Sequence, residues 1–219
     1  MTQAPPTVET DRLFLRPWQP CDLAPFAALN ADPAVMTHFP APLSRAESDA
    51  FVTRLIERNA RDGFSFLAVE RREDGAFLGM VGLASVGFAP LAPAVEIGWR
   101  LARAHWGQGY ATEAAAGWLD HAFDWLGLPE VIAMAVPANA PSHAVMRRLG
   151  MVRDPARDFE HPSLPEGHRL RQHVLFASDR AGRDAHPRPR HTPADRPSSV
   201  PRRASGAPRD RGLKRTHRR

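Results

Sequence analysis

The segment from residue 105 to residue 111 constrains the fold most, because two glycines stand there between a strand-like run and a helical pattern. Gly107 and Gly109 follow the strand-like run Ala94–Leu101, and small or apolar residues then recur at spacings of three or four. Glycines allow a turn in which successive backbone N–H groups point inward, at the positive end of a helix dipole. The pattern predicts an anion site suited to a diphosphate, although a plain tight turn would produce the same spacing.

Other ligand-binding motifs are missing from the sequence. A dinucleotide fingerprint needs a further glycine and a downstream acid, and a nucleoside-triphosphate loop needs Gly-Lys-Ser/Thr. Neither follows Gly109, and the ten histidines have no spacing such as His-x-x-x-His. A lone cysteine, Cys21, forms no internal disulfide and is most simply inert. We therefore expect no metal and no disulfide.

Hydrophobic periodicity and turn residues predict an alternation of strands and helices. The predicted strands are residues 12–18, 64–71, 76–86, 94–101, 131–136, 151–153 and 168–176. The predicted helices are residues 23–29, 44–59, 111–126 and 139–149. Asp74-Gly75 predicts a hairpin turn, Ser44 and Glu47 form a capping-box pattern, and Asp22 and Asn139 are suited to cap helices. The order predicts an α/β (α+β) fold, a mixed sheet with helices on its faces.

The third predicted helix is amphipathic. Its apolar face is formed by Ala111, Ala115, Trp118, Ala122 and Leu126, at spacings of three or four residues. Two further aromatic residues, Phe123 and Trp125, lie at helical spacing from this face, and we interpret them as packing residues.

The charge of the chain divides at Ser178. Residues 179–219 contain 13 Arg and Lys against 4 Asp, six prolines and two large aliphatic residues, whereas the preceding part has a net negative charge. Such a segment cannot offset its ordering entropy by burial, so we expect residues 1–178 to form the folded domain and 179–219 a disordered basic tail. Clustered arginine favours RNA or ribosome contact, and a solvated extension without a partner is the alternative.

No apolar run reaches the roughly 18 residues of a membrane-spanning helix, and the first residues lack the pattern of a signal peptide. These features favour a cytoplasmic protein without a membrane partner. The sequence leaves open whether it is a monomer or a homodimer.

Five stretches match, in order, the pattern of one known family. They are Thr10–Pro17, Phe77–Gly79 with Gly82-Leu83, Val95–Trp99, Trp106–Ala114, and Asn139–Ser142 followed by Arg148–Met151. In these stretches, which span about residues 7 to 177, the chain resembles the GNAT superfamily of acyl-CoA-dependent N-acyltransferases, and within it the RimJ/RimL-like branch. The resemblance implies a mostly antiparallel central sheet with helices on both faces. It also implies a wedge between strands 94–101 and 131–136, in which the pantetheine arm of acetyl-CoA lies.

The resemblance also implies a set of site residues. The main-chain N–H groups that would bind the diphosphate belong to Trp106, Gly107, Gln108, Gly109, Tyr110 and Ala111. The other implied cofactor contacts are Trp99, Arg100, Leu101, Asn139 and Ser142. Glu96 is the implied base for the acceptor amine, and the Ser142 hydroxyl is the implied stabiliser of the thiolate. The chain departs from the pattern of many relatives at Trp106, which replaces Arg or Gln, and at Met146, which replaces a tyrosine acid.

Each of these residues has a structural alternative. Glu96 could be a carboxylate paired with an arginine, while Ser142 and Asn139 could simply satisfy a helix end. Arg147 and Arg148 suit the last turns of a helix as dipole partners, rather than as ligands of the CoA 3′-phosphate.

The implied function is transfer of an acetyl group from acetyl-CoA to a primary amine by direct attack within a ternary complex. The acceptor would be a protein N-terminal α-amine or a small amine. The alternative is a non-catalytic acyl-CoA-binding module, or a ribosome- or RNA-associated module that uses the basic tail.

Overall fold

Nine strands form one mixed sheet in the computed structural model, which describes residues 6 to 186. The strands are β1 (Val8–Glu9), β2 (Leu13–Arg16), β3 (Phe66–Arg71), β4 (Phe77–Val86), β5 (Ala94–Leu101), β6 (Glu130–Ala135), β7 (Val152–Arg153), β8 (Phe159–Glu160) and β9 (Gln172–Asp179). Their order is β1-β2-β3-β4-β5-β6-β9-β7, and β8 pairs with β9 beside this path. Only β5 and β6 are parallel among these described pairs, so the sheet is mostly antiparallel.

The helices cover both faces of the sheet. They are α1 (Leu23–Ala31), α2 (Arg45–Asp62), α3 (Tyr110–Asp124), α4 (Ala140–Arg148) and the short α5 (Arg180–Ala185). Apolar residues of α1 and α2 form one core with Met80 and Phe66, whereas those of α3 and α4 form another with β2 to β6. The predicted α/β architecture with helices on both faces is therefore confirmed.

Helix α2 begins where its capping box predicts. The Ser44 hydroxyl accepts the Glu47 backbone N–H, and the Glu47 carboxylate accepts the Ser44 N–H at 2.8 Å. Helix α2 ends at Gly63, which adopts φ +80°, a left-handed conformation that costs glycine little. A side-chain capping box therefore fixes the start of the helix, and a glycine backbone conformation fixes its end.

The role predicted for Asp22 is wrong. Its side chain makes no capping hydrogen bond to α1. Instead it accepts two hydrogen bonds from Arg16, at 2.7 and 2.9 Å, and one from the Gln19 N–H. A buried guanidinium forms stronger hydrogen bonds to a carboxylate than a helix N–H does, so the Asp22 side chain pairs with Arg16 instead of capping α1.

Regular structure continues past the predicted boundary at Ser178. β9 continues to Asp179, whose side chain caps α5. The Arg183 guanidinium is 7% exposed and binds Asp120 of α3 at 2.6 Å. This ion pair and the packing of α5 give residues 180–185 an ordering contribution that composition does not reveal. The rest of the predicted tail, residues 187–219, lies outside the described residues.

Strand β5 separates two environments through its alternating side chains. Val95, Ile97, Trp99 and Leu101 belong to the core under α3, while Gly98 contacts Phe66 of the other core. Because successive side chains point to opposite faces, Glu96 and Arg100 share the Gly98 face, towards α1 and α2. That face holds the two charged side chains of the strand.

Candidate active site

The glycine-rich loop supplies backbone donors at the start of α3. Gly107 and Gly109 have φ +74° and +81°, and Gly109 precedes the helix without offering a capping side chain. Among the described residues, no acceptor pairs with the backbone N–H groups of residues 107–112. Unpaired N–H groups at a helix N-terminus favour an anion, so the loop fits a diphosphate.

Side chains of the loop hold its shape rather than point to a ligand. The Gln108 amide donates to the Ala104 carbonyl at 3.0 Å, and the Trp106 indole N–H donates to the Leu101 carbonyl at 2.8 Å. Tyr110 is buried in the core under α3. The unpaired donors of this loop are therefore main-chain N–H groups, although the Trp106 and Gln108 side chains are exposed.

Arg12, which directly precedes β2, holds the loop in place, a role that the sequence reasoning missed. Its guanidinium donates to the Gln108 carbonyl at 3.1 Å and to Glu113 at 2.6 Å, and it lies 4.6 Å from the Tyr110 ring centroid. Burial alone would raise the pKa of Glu113, but hydrogen bonds from Thr10 and Arg12 outweigh it and lower that pKa. The signal was available, because Arg12 lies in one of the matched stretches.

A wedge opens beside the loop, between β5 and β6. β5 pairs with β4 at eight positions, from Ala94 to Leu101, whereas its register with β6 has the single pair Glu96 and Ile132. Within residues 6–186, the backbone groups of β5 beyond that pair have no neighbouring strand on the β6 side. An amide-bearing chain can bind such groups as an added strand would.

Glu96 lies where the two strands part. Burial raises the pKa of its carboxyl to about 7, and the nearby positive charge of Arg58 acts weakly against that rise. Within residues 6–186 the carboxylate makes no hydrogen bond or salt bridge, so the paired structural carboxylate considered above is not what the structure contains. A half-buried carboxyl with a pKa near 7 is suited to accept a proton.

Asn139 and Ser142 begin helix α4. The Asn139 side chain accepts the Ser142 backbone N–H at 3.2 Å, so Asn139 caps the helix. The Ser142 hydroxyl is half-buried and makes no hydrogen bond within the described residues. Met146 is 2% exposed and packs in the core under α3, which excludes a proton donor at that position.

The three strand-end residues Trp99, Arg100 and Leu101 do not act together. Trp99 and Leu101 face the core under α3, and the Leu101 carbonyl is taken by the Trp106 indole. The Arg100 side chain points the other way, where it donates to Asn30 of α1 at 2.6 Å. Any contact that the three make to one ligand would therefore be through their backbone.

A family model described as an acetyltransferase (GNAT) domain matches residues 12–152, well over half of the chain. The chain belongs to the GNAT acetyltransferases. Members of this family use acetyl-CoA as the donor and an amine as the acceptor, so the acetyltransferase predicted from the sequence is confirmed at that level.

The chain is also similar to individual proteins. YkkB of Bacillus subtilis is 33% identical over 143 residues, which are 65% of this chain and 83% of YkkB. The FsC-acetyl coenzyme A-N(2)-transacetylase of Aspergillus fumigatus is 32% identical over 165 residues, covering 68% of this chain and 66% of that protein. RimJ of Mycobacterium smegmatis, solved in complex with CoA-disulfide, superposes with a TM-score of 0.64 at 26% identity, covering 81% of this chain and 88% of RimJ.

The described part of the chain lacks a membrane-spanning helix and a metal-binding cluster. No helix within residues 6–186 is long and apolar enough to cross a membrane. The same residues contain no group of three or more His, Cys, Asp or Glu side chains arranged to hold a metal ion. Cys21 is exposed and free.

Proposed function

We propose that this GNAT enzyme transfers the acetyl group of acetyl-CoA to a primary amine by direct attack within a ternary complex. The observation that carries the proposal is Glu96, a carboxyl with a pKa of about 7 and no hydrogen-bond partner in the described part of the chain, at the point where β5 and β6 part. A general base works best when its pKa lies near the working pH, and it must also be free to accept the proton. Glu96 meets both conditions.

The donor fits the loop and the wedge. Main-chain N–H groups of residues 107–111 would hold its diphosphate, without that of Trp106, which already donates to the Arg103 carbonyl at 3.1 Å. The unpaired edge of β5 near residues 99–101 would bind its amide groups. When bound, the donor supplies an activated thioester, and the chain supplies orientation. Holding both reactants together accounts for a large part of the rate increase in such reactions.

Ser142 would stabilise the departing sulfur. Its hydroxyl makes no bond within the described residues, so it can donate to negative charge that develops on a thiolate. Asn139 already uses its carbonyl oxygen as a cap, which leaves its amide N–H groups for a cofactor contact. This role for Ser142 would account for the departure at Met146, because the first turn of α4 would supply the hydrogen-bond donor instead.

The acceptor proposed is an α-amine at a protein N-terminus, as in the RimJ/RimL-like branch. An α-amine has a pKa of about 7.7 to 8.0 and lysine about 10.4, so deprotonating lysine at the same pH costs roughly 3 kcal/mol more. A carboxyl with a pKa of about 7 is better matched to the deprotonation of an α-amine than to that of lysine. The likeness to RimJ at 26% identity supports the same choice.

The test measures thiol release from acetyl-CoA with a panel of N-terminal peptides, small amines and lysine analogues. Glu96→Gln is expected to lower kcat at least a hundredfold on the preferred amine while CoA binding, measured by calorimetry, stays within twofold. Glu57→Gln, an exposed glutamate on α2, is the matched control and should keep full activity. Cofactor binding without turnover on any amine would refute the proposal and favour a non-catalytic binder.

A further inference from the structure

Arg100 is a guanidinium without a carboxylate partner. Its Nη1 donates to the Asn30 side-chain oxygen at 2.6 Å, and its Nε is buried without any hydrogen-bond partner. No ion pair within residues 6–186 includes Arg100. Burial lowers the pKa of Arg100 to about 10, which still leaves it charged at neutral pH. The side chain thus carries a positive charge that the described residues do not neutralise.

The two most deeply buried arginines of residues 6–186 are neutralised, whereas Arg100 is half-buried and is not. Arg16 is 6% exposed and binds Asp22 through two hydrogen bonds and Glu70 through a third, at 2.7 to 2.9 Å. Arg183 is 7% exposed and binds Asp120. Removing a charge from water is costly unless an opposite charge is placed beside it. An arginine that serves the fold alone would be expected to follow the pattern of Arg16.

The surroundings of Arg100 fix its orientation and keep it charged. Asn30 also donates to the Ser48 hydroxyl at 2.9 Å, and both residues are fully buried. The ring centroids of Phe39 and Phe51 lie 4.0 and 5.5 Å from the guanidinium carbon. These neutral contacts cover the faces of the guanidinium but leave donors free on its edge. A planar guanidinium with free edge donors matches the two oxygens of a carboxylate.

Arg100 lies on the same face of β5 as Glu96. Four residues separate them, so their Cα atoms are about 13 Å apart along an extended strand. This face points to α1 and α2, away from the core under α3, the helix whose N-terminus follows the glycine-rich loop. A counter-anion for the Arg100 guanidinium would therefore come from the acceptor rather than from the donor's phosphates.

We propose that Arg100 binds a carboxylate of the acceptor, so that the preferred substrates are amines that also carry a carboxylate. This inference rests on the proposed function and names the substrate class of that site. The carboxylate can belong to a small amino acid or to an acidic residue near a peptide N-terminus. The shared chemistry is an amine near Glu96 and a carboxylate at Arg100.

The test compares acceptors that differ only in a carboxylate or its amide. The pairs are ω-amino acids of increasing length with their amides, and peptides with Asp or Asn at the second or third position. The wild type should prefer the carboxylate member of at least one pair by tenfold or more in kcat/KM, mainly through KM. Arg100→Gln should bring that ratio close to one, while Arg54→Gln, an exposed arginine that also lies near Phe51, should leave it unchanged.

A second variant keeps Arg100 and gives its guanidinium a carboxylate partner within the protein. Asn30→Asp places a carboxylate beside the Arg100 Nη1 and can still bond to Ser48. It should abolish the carboxylate preference while turnover of the amide acceptors stays within threefold. Affinity for CoA should be unchanged in both variants, and a large loss of it in Arg100→Gln would assign Arg100 to the donor and overturn the inference.

The remaining outcomes decide between this role and a structural one. A wild-type ratio near one, or equal losses on both members of a pair in Arg100→Gln, would overturn the inference and leave the acetyltransferase standing. If no acceptor is acetylated, calorimetry with CoA-loaded protein measures binding of the same pairs. Carboxylate binding that depends on Arg100 would then support the inference while the proposed function fails, and equal or absent binding would refute both.

Discussion

Replacing Glu96 with glutamine should stabilise the protein at pH 8 and leave it almost unchanged at pH 5. The fold raises the pKa of this carboxyl from 4.5 to about 7, mainly through burial. Between these values the folded state binds the proton more tightly than the unfolded state, so the stability of the wild type falls as pH rises. The shift of about 2.5 units corresponds to about 3 kcal/mol above pH 7, at 1.36 kcal/mol per unit. Glutamine stays neutral and avoids this cost.

Urea unfolding of wild type and Glu96→Gln at pH 5, 6, 7 and 8 measures the effect. The variant should be more stable by about 3 kcal/mol at pH 8 and by less than about 1 kcal/mol at pH 5, with equal m-values. Glu57→Gln, exposed on α2, should show no such trend. If the two proteins have the same stability at pH 8, then the carboxyl is not perturbed by burial, and the argument for its role as base fails with it.

The remaining predictions concern the donor site and the C-terminal boundary. Gly109→Glu should lower CoA affinity at least tenfold in calorimetry. Gly127 has a similar positive φ just beyond the other end of α3, so Gly127→Ala should strain the backbone without changing CoA affinity. Equal effects of the two substitutions on CoA affinity would refute the anion site. Ser142→Ala should lower kcat about tenfold to a hundredfold with KM for acetyl-CoA unchanged, and an unchanged kcat would remove its role. A chain ending at His186 should keep its melting temperature, while one ending at Ser178 should lose several degrees with α5. The full chain should bind RNA with a steep salt dependence that the His186-ended chain lacks, and equal weak binding by both would refute RNA contact through the basic tail.

Local patterns predicted much of the fold because their physics is local. A capping box at Ser44 and Glu47, a hairpin turn at Asp74-Gly75 and the glycine loop before α3 each depend on residues close in sequence. The bounds of β5, Ala94–Leu101, agree with the prediction for the same reason, because a run of strand-forming residues ends at a helix-capping loop. The family resemblance then placed these elements in one sheet.

Long-range contacts explain what the sequence did not predict. Trp125 was expected to pack, yet it is 82% exposed, because α3 ends at Asp124 and the chain turns before the indole can reach the core. The strands β1 and β8 are two residues each, too short for a periodic pattern. Composition placed the tail boundary at Ser178, since it cannot register that Arg183 meets Asp120 across 63 positions.

The two charges on β5 were predictable as a pair, although the sequence reasoning treated them apart. A spacing of four residues on a strand puts Glu96 and Arg100 on one face, but about 13 Å apart, too far to neutralise each other. The fold gives neither side chain an opposite charge within salt-bridge distance in its described part. Glu96 and Arg100 each carry a cost in stability because they lack a counter-charge, and this is explained most simply if a single ligand contacts both side chains. An acceptor with an amine at one end and a carboxylate at the other has that charge pattern, whereas a plain amine would leave Arg100 without a counter-charge.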